Sequence, residues 1–185
     1  MGPTRIAFAA LCTGSLHRLR GHWLACFTRS YSMSRLCTQQ FEEDMAVVTW
    51  PMERGMRDAS CLRCVFDLAG AIKDRAATWE ARFGQVPEFR AVLHCGSVVT
   101  AEIGLERHKI AYFGDVVNTT GSLESLSKTL GERVLVSADL LEGIGSLPEH
   151  LIAENLGFHV MRGREEPLQI SAIRLRPDCP EMARV

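Results

Sequence analysis

The stretch Phe89-Arg-Ala-Val-Leu-His-Cys-Gly-Ser-Val-Val99, followed by Tyr112-Phe-Gly-Asp-Val-Val-Asn118, is the most informative part of the chain. The first run reads as a strand that meets a tight turn at Gly96 and passes into a second apolar run. The second run ends a short strand at Gly114-Asp115 and opens into a helix with Asn118 on its first turn. A helix N-terminus offers unpaired backbone N–H groups and the positive end of the helix dipole. A polar amide placed there suits an enzyme that handles phosphate.

Outward from this centre, hydrophobic periodicity predicts the remaining elements. Upstream, Met45-Ala-Val-Val-Thr-Trp50 reads as a buried strand closed by Pro51. Leu62, Val65, Phe66, Ala69, Ile72, Ala76 and Trp79 fall at helical spacing, predicting one helix from Asp58 to Phe83. Asp58 stands at its N-cap position and Gly84 at its C-terminal stop. Strands are predicted over Phe89–His94, Val98–Ile103 and Lys109–Phe113, with Leu105-Glu-Arg-His108 as a polar turn. A helix from Val116 to Leu130 ends at Gly131. Arg133–Val136 is a strand, and Ser137 caps a short helix over Ala138–Glu142. A late hairpin joins His159–Met161 to Leu168–Arg174 across Arg162-Gly-Arg-Glu-Glu-Pro167. Strands alternating with helices and hairpins predict an α+β fold with a mainly antiparallel sheet.

At 185 residues the chain has the size of one domain with a substantial core. Its 46% hydrophobic and 23% charged content is that of an ordinary globular protein, and no apolar run has the length of a membrane span. A net charge of -1 gives no electrostatic case for nucleic acid or an anionic membrane as partner. The seven cysteines are odd in number and scattered, which points to reduced thiols and a cytoplasmic location. Cys61-Leu-Arg-Cys64 has no second ligand pair for zinc, so both cysteines read as small hydrophobes on a helix.

The first forty residues stand apart. Arg5, Arg18, Arg20, Arg29 and Arg35 lie among serines and threonines, with no acidic residue before Glu42. Ile6 to Leu11 reads as a strand, while the segment as a whole has the composition of a transit peptide or of an altered start. The expected division is therefore an irregular segment over 1–40, a domain over 41–176 and a tail over 177–185.

Two ordered motifs, His94-Cys-Gly-Ser-Val-Val-Thr-Ala-Glu-Ile-Gly104 and Gly114-Asp-Val-Val-Asn-Thr-Thr-Gly-Ser-Leu-Glu124, resemble those of the class III adenylate/guanylate cyclase catalytic domain. Trp50-Pro-Met-Glu-Arg-Gly and Cys61-Leu-Arg-Cys-Val-Phe-Asp67 resemble its bacterial, rhizobial-type branch. The resemblance spans about residues 41–175. It implies a ferredoxin-like core with flanking helices and a C-terminal hairpin, truncated or altered at its N-terminal part. It further implies attack of a ribose 3′-hydroxyl on the α-phosphate of ATP, releasing pyrophosphate and closing cyclic AMP. Two divalent ions, Mg or Mn, serve such displacements, and the catalytic unit is a head-to-tail homodimer or heterodimer.

Residue by residue, the resemblance makes Asn118 the catalytic asparagine that orients ribose and phosphate. Asp44 becomes a metal ligand on a strand turn, and Arg164 the basic contact to the triphosphate. Other family positions are changed. Ala10, in Phe8-Ala-Ala-Leu-Cys, stands where the first metal aspartate belongs, and Ser122 where a transition-state arginine belongs. The base-reading positions are Gln40 and Ala111. A hydroxyl cannot replace a guanidinium on phosphate, so the expectation is a cyclase domain impaired as an isolated chain. The alternative is a non-catalytic homology domain that binds nucleotide or a cyclase partner in a regulatory role. Asp115 is expected to fix the strand-to-helix turn, and His94 to be a core or edge histidine.

Overall fold

The apolar run of the first dozen residues is buried on both sides, and a sheet is built around it. The computed structural model describes residues 4–12, 38–42, 45–103 and 109–177. Strand β1 (Thr4–Cys12) pairs antiparallel with β3 (Met45–Pro51) on one flank and with β4 (Arg90–Ile103) on the other. Outside β3 lies β2 (Thr38–Glu42). Outside β4 come β6 (Val134–Ser137), β8 (Leu168–Leu175) and β7 (Leu151–His159), so the order is β2-β3-β1-β4-β6-β8-β7. The far half of β4 pairs with β5 (Lys109–Phe113). Among the described strands the β4–β6 pair is parallel and the others are antiparallel, the α+β architecture expected from the sequence.

Successive side chains of a strand point to opposite faces, and β1 divides its residues accordingly. Ala7, Ala9 and Leu11 face one layer of helices, namely α1 (Met52–Met56), α2 (Ser60–Lys73), α3 (Ala76–Phe83) and α5 (Ala138–Ile144). Ile6, Phe8 and Ala10 face α4 (Asp115–Leu130) on the other side. None of these six residues is more than 5% exposed. A strand apolar at every position is what burial on both faces requires.

Within the segment 1–40, Thr4–Cys12 lies inside the sheet. Thr4–Cys12 holds β3 and β4 together, as the strand expected over Ile6–Leu11 would. Residues 13–37, Asp44, the turn Leu105–His108 and residues 178–185 lie outside the described residues.

Three expectations are corrected. The helix predicted over Asp58–Phe83 starts earlier, directly after Pro51, and is broken twice. A 3-10 turn at Arg57–Ala59 holds Asp58 and Ala59 at φ 52° and 53°, so Asp58 is no N-cap. This turn swings Leu62, Val65 and Leu68 of α2 onto the sheet. The second break, at Asp74-Arg75, separates α2 from α3. Gly96 is no turn: β4 runs straight through it, pairing Gly96 with Ile6. The late hairpin is displaced from the expected one: its first strand, β7, runs over Leu151–His159, so that of the expected His159–Met161 only His159 belongs to it. Most β7 side chains are exposed or half-exposed, and a bulge between Asn155 and Gly157 interrupts its register, so it lacks the alternation that marks a half-buried strand. Among the described residues no helix is long and apolar enough to cross a membrane.

Candidate active site

Two glycines fix where α4 begins. Gly114 has φ 143°, and a Cβ there would stand 2.9 Å from the Ser97 carbonyl oxygen of β4. At Gly96 a Cβ would stand 2.5 Å from Cγ2 of Val116. Absent side chains thus let the first turn of α4 lie directly on the middle of β4. Val116, 3% exposed, anchors it there. The Val117 amide donates to the Gly114 carbonyl at 3.2 Å, closing that first turn.

Asp115 and Asn118 project from this turn into solvent. No side chain caps the helix, and a carboxylate in its first turn complements the dipole. Across from Asp115 stands Arg164, from the connection between β7 and β8. Its Nη1 lies 3.2 Å from Asp115 Oδ2, with the arginine side chain 24% exposed and the aspartate 54%. The Arg164 amide donates to the Met161 carbonyl at 3.1 Å. Met161 is 2% exposed and packs in the same cluster as Val116 and Leu123. Asn118 and Arg164, distant in sequence, are thereby gathered at one helix end. Arg162, on the same connection, is exposed. The Asp115–Arg164 pair is the feature that sequence reading missed. Its only local sign was an acid at a helix start.

Ser122 follows Asn118 by one helical turn. Its Oγ donates to the Asn118 carbonyl at 3.2 Å, so the hydroxyl is spent on the helix backbone. Thr120, Ser125 and Thr129 likewise donate to the carbonyls of Val116, Gly121 and Ser125. Ala111 is half-buried on β5 opposite Ala101, and Gln40 lies on β2 opposite Val47.

Beneath this helix end lies His94, 2% exposed. Its Nδ1 is 2.8 Å from Ser137 Oγ, and Ser137 Oγ also accepts from the Leu140 amide at 3.4 Å to cap α5. Burial pushes the His94 pKa below the ordinary 6.5, with Asp139 and Asp115 opposing and Arg164 reinforcing that shift. Cys61 and Cys64 are buried on α2, and burial pushes the Cys61 thiol up to about 12. At such a value the thiolate that reacts or binds metal is scarce.

Among the described residues, Mg or Mn finds little to hold it. These are hard cations that take oxygen ligands. Ala10 offers a methyl group, 3% exposed, in an apolar cluster with Val47 and Val92. Among the described residues no group of three or more His, Cys, Asp or Glu could hold a metal ion. Asp44 lies outside those residues. A separate cavity of about 460 Å³ opens on the opposite face of the sheet, between α2 and the β6–β8 edge, with Val65, Ile72, Val134 and Ile173 in its wall. Its wall contains no residue of α4 and none of the candidate residues.

Comparison with known proteins identifies the family and the fold. The adenylate and guanylate cyclase catalytic domain family matches residues 42–169. Adenylate cyclase 2 of Rhizobium meliloti (strain 1021) is 48% identical over 130 residues, covering 70% of this chain and 36% of that protein. The chain thus spans about a third of the length of that curated relative. Among solved structures, the adenylyl cyclase CyaB from P. aeruginosa superposes with a TM-score of 0.77 at 16% identity, covering 96% of this chain and 98% of that one. The guanylyl cyclase Cya2 gives 0.70 at 17% identity, over 97% and 98%. A bacterial light-regulated adenylyl cyclase gives 0.70 at 16%, over 94% of this chain and 53% of that one. At such identities the structures share the fold.

Proposed function

Because the chain belongs to the adenylate and guanylate cyclase catalytic domain family, we propose that it is a domain directed at ATP and cyclic AMP formation, impaired when it stands alone. The carrying observation is the gathering of Asn118 and Arg164 at the exposed start of α4. In this reading the exposed Asn118 amide orients the ribose, and Arg164 donates to the triphosphate. The reaction joins the ribose 3′-oxygen to the α-phosphorus, expels pyrophosphate and releases the hydroxyl proton. The domain extends from β1 through β8, and the catalytic unit is a head-to-tail dimer.

Two observations support impairment. Phosphoryl transfer depends on electrostatic stabilisation where charge develops, and the chain has a buried methyl at Ala10 and a backbone-bonded hydroxyl at Ser122. Divalent ions would activate the hydroxyl and neutralise phosphate charge. Ala10 supplies no ligand for them, so no step is assigned to a metal on this chain. The same two positions favour a second reading, a non-catalytic domain that binds nucleotide or a cyclase partner and regulates it.

The deciding experiment mixes the purified chain with a complete homologous cyclase domain whose own catalytic asparagine has been replaced. Alone with ATP and magnesium or manganese, the chain should form little cyclic AMP. The heterodimer should recover activity, and Asn118→Ala should abolish the recovery. Silence in a verified heterodimer would favour the regulatory reading. Robust synthesis by the unmodified chain would refute impairment.

A further inference from the structure

The Asp115–Arg164 pair ties the first turn of α4 to the connection between β7 and β8, above the apolar cluster in which Met161 already meets Val116 and Leu123. We propose that Asp115 is a positioning residue that presents Arg164 to the phosphates of the bound nucleotide. This inference rests on the reading of Arg164 as a triphosphate contact.

Three features carry it. Arg164 Nη1 lies 3.2 Å from one oxygen of the Asp115 carboxylate. Arginine carries five N–H donors in a rigid fork, more than one carboxylate oxygen can accept, so the pair leaves donor capacity for an oxyanion. Both ends of the pair are fixed from below. Asp115 belongs to a turn seated on β4 by Gly96, Gly114 and Val116, and Arg164 follows the buried Met161, whose carbonyl takes its amide. Finally, the helix would accept a carboxylate at that position without any arginine. A bare dipole partner therefore leaves the pairing unexplained, whereas a positioner requires it. A free arginine surrenders much rotamer entropy on binding phosphate, and an arginine already held surrenders less. The same device appears where a lysine that grips nucleotide phosphates is held by a glutamate.

The test turns on sign. Simple Coulomb reasoning says that Asp115→Asn, by removing a negative charge beside an anion site, should tighten nucleotide binding. Positioning says the reverse. Titration of the chain of 185 residues with ATP and magnesium, followed by NMR, should show Asp115→Asn weakening binding by about 3- to 10-fold. Arg164→Ala should weaken it by about 10-fold or more. In the Arg164→Ala background the second substitution should have no further effect, because Asp115 acts through Arg164. Asp115→Glu should recover part of the loss. Unchanged or tighter binding in Asp115→Asn overturns the inference, as does an undiminished effect of that substitution without Arg164. If Arg164→Ala leaves affinity unchanged, the triphosphate contact itself is wrong. Absence of any nucleotide binding by the unmodified chain would remove both the site and this inference.

Discussion

A Cβ on Gly96 would stand 2.5 Å from Val116 Cγ2, and Val116 is held in the first turn of α4. Neither partner can move freely, since Gly96 lies inside a paired strand and valine is stiff at χ1. Gly96→Ala should therefore lift the start of α4 from the sheet and destabilise the fold by about 1–3 kcal/mol. Val116→Ala in the same chain should return part of that loss by vacating the space. Thermal denaturation of the single and double variants checks this. A double variant that is less stable by the sum of the two single losses would show that the contact is not the cause. Gly114 constrains the same turn through its backbone, so substitution there should be less forgiving and without a side-chain remedy.

Among the elements, β1 bears most directly on stability. It supplies one whole layer of contacts to α2 and another to α4, and it pairs with both β3 and β4. Leu11→Ala should cost about 2–5 kcal/mol, the usual range for a large-to-small change at a site 1% exposed. Removal of residues 1–12 should abolish cooperative folding, because β3 and β4 would lose their shared partner and the sheet would divide. A sharp melting transition in the shortened chain would contradict that. This holds although the family match begins at residue 42. Similarity in sequence and necessity to the core have different boundaries. The α4 helix is weaker in itself, with Gly121 and a run of Ser and Thr that bond to their own backbone. Its stability comes from the apolar stripe of Val116 and Leu123 against the sheet.

At the scale of the molecule, His94 registers the packing of several elements together. It projects from β4, bonds to Ser137 at the junction of β6 and α5, and feels Asp139 of α5, Asp115 of α4 and Arg164 beyond β7. Its folded pKa lies below 6.5. Between that lower value and 6.5 the unfolded chain binds a proton that the folded chain does not, so stability rises with pH in that window. The contribution is fully present above about pH 6.5 and is lost progressively as pH falls below it. Urea midpoints should accordingly drop from pH 8 to pH 5.5, and His94→Gln should flatten that drop. An equal drop in the variant would assign the pH dependence to other groups.

The sequence determined whatever rests on neighbours a few positions apart. The start of α4 after Gly114, its stop at Gly131 and the Ser137 cap of α5 were all legible because each depends on residues within one or two turns. The ordered motifs around Gly96 and Gly114 likewise pointed to the cyclase fold and to Asn118 as a candidate. Tertiary structure alone decided the rest. Gly96 reads locally as a turn, yet its role is close approach to a helix that begins only at Asp115. The arginine-rich opening hides a central strand, because composition over forty residues averages away the buried run from Ile6 to Leu11. Asp115 and Arg164 meet only when the β7–β8 connection folds back over α4. Periodicity and capping report the local geometry of the backbone, whereas these features arise from register between distant segments, which no local pattern encodes.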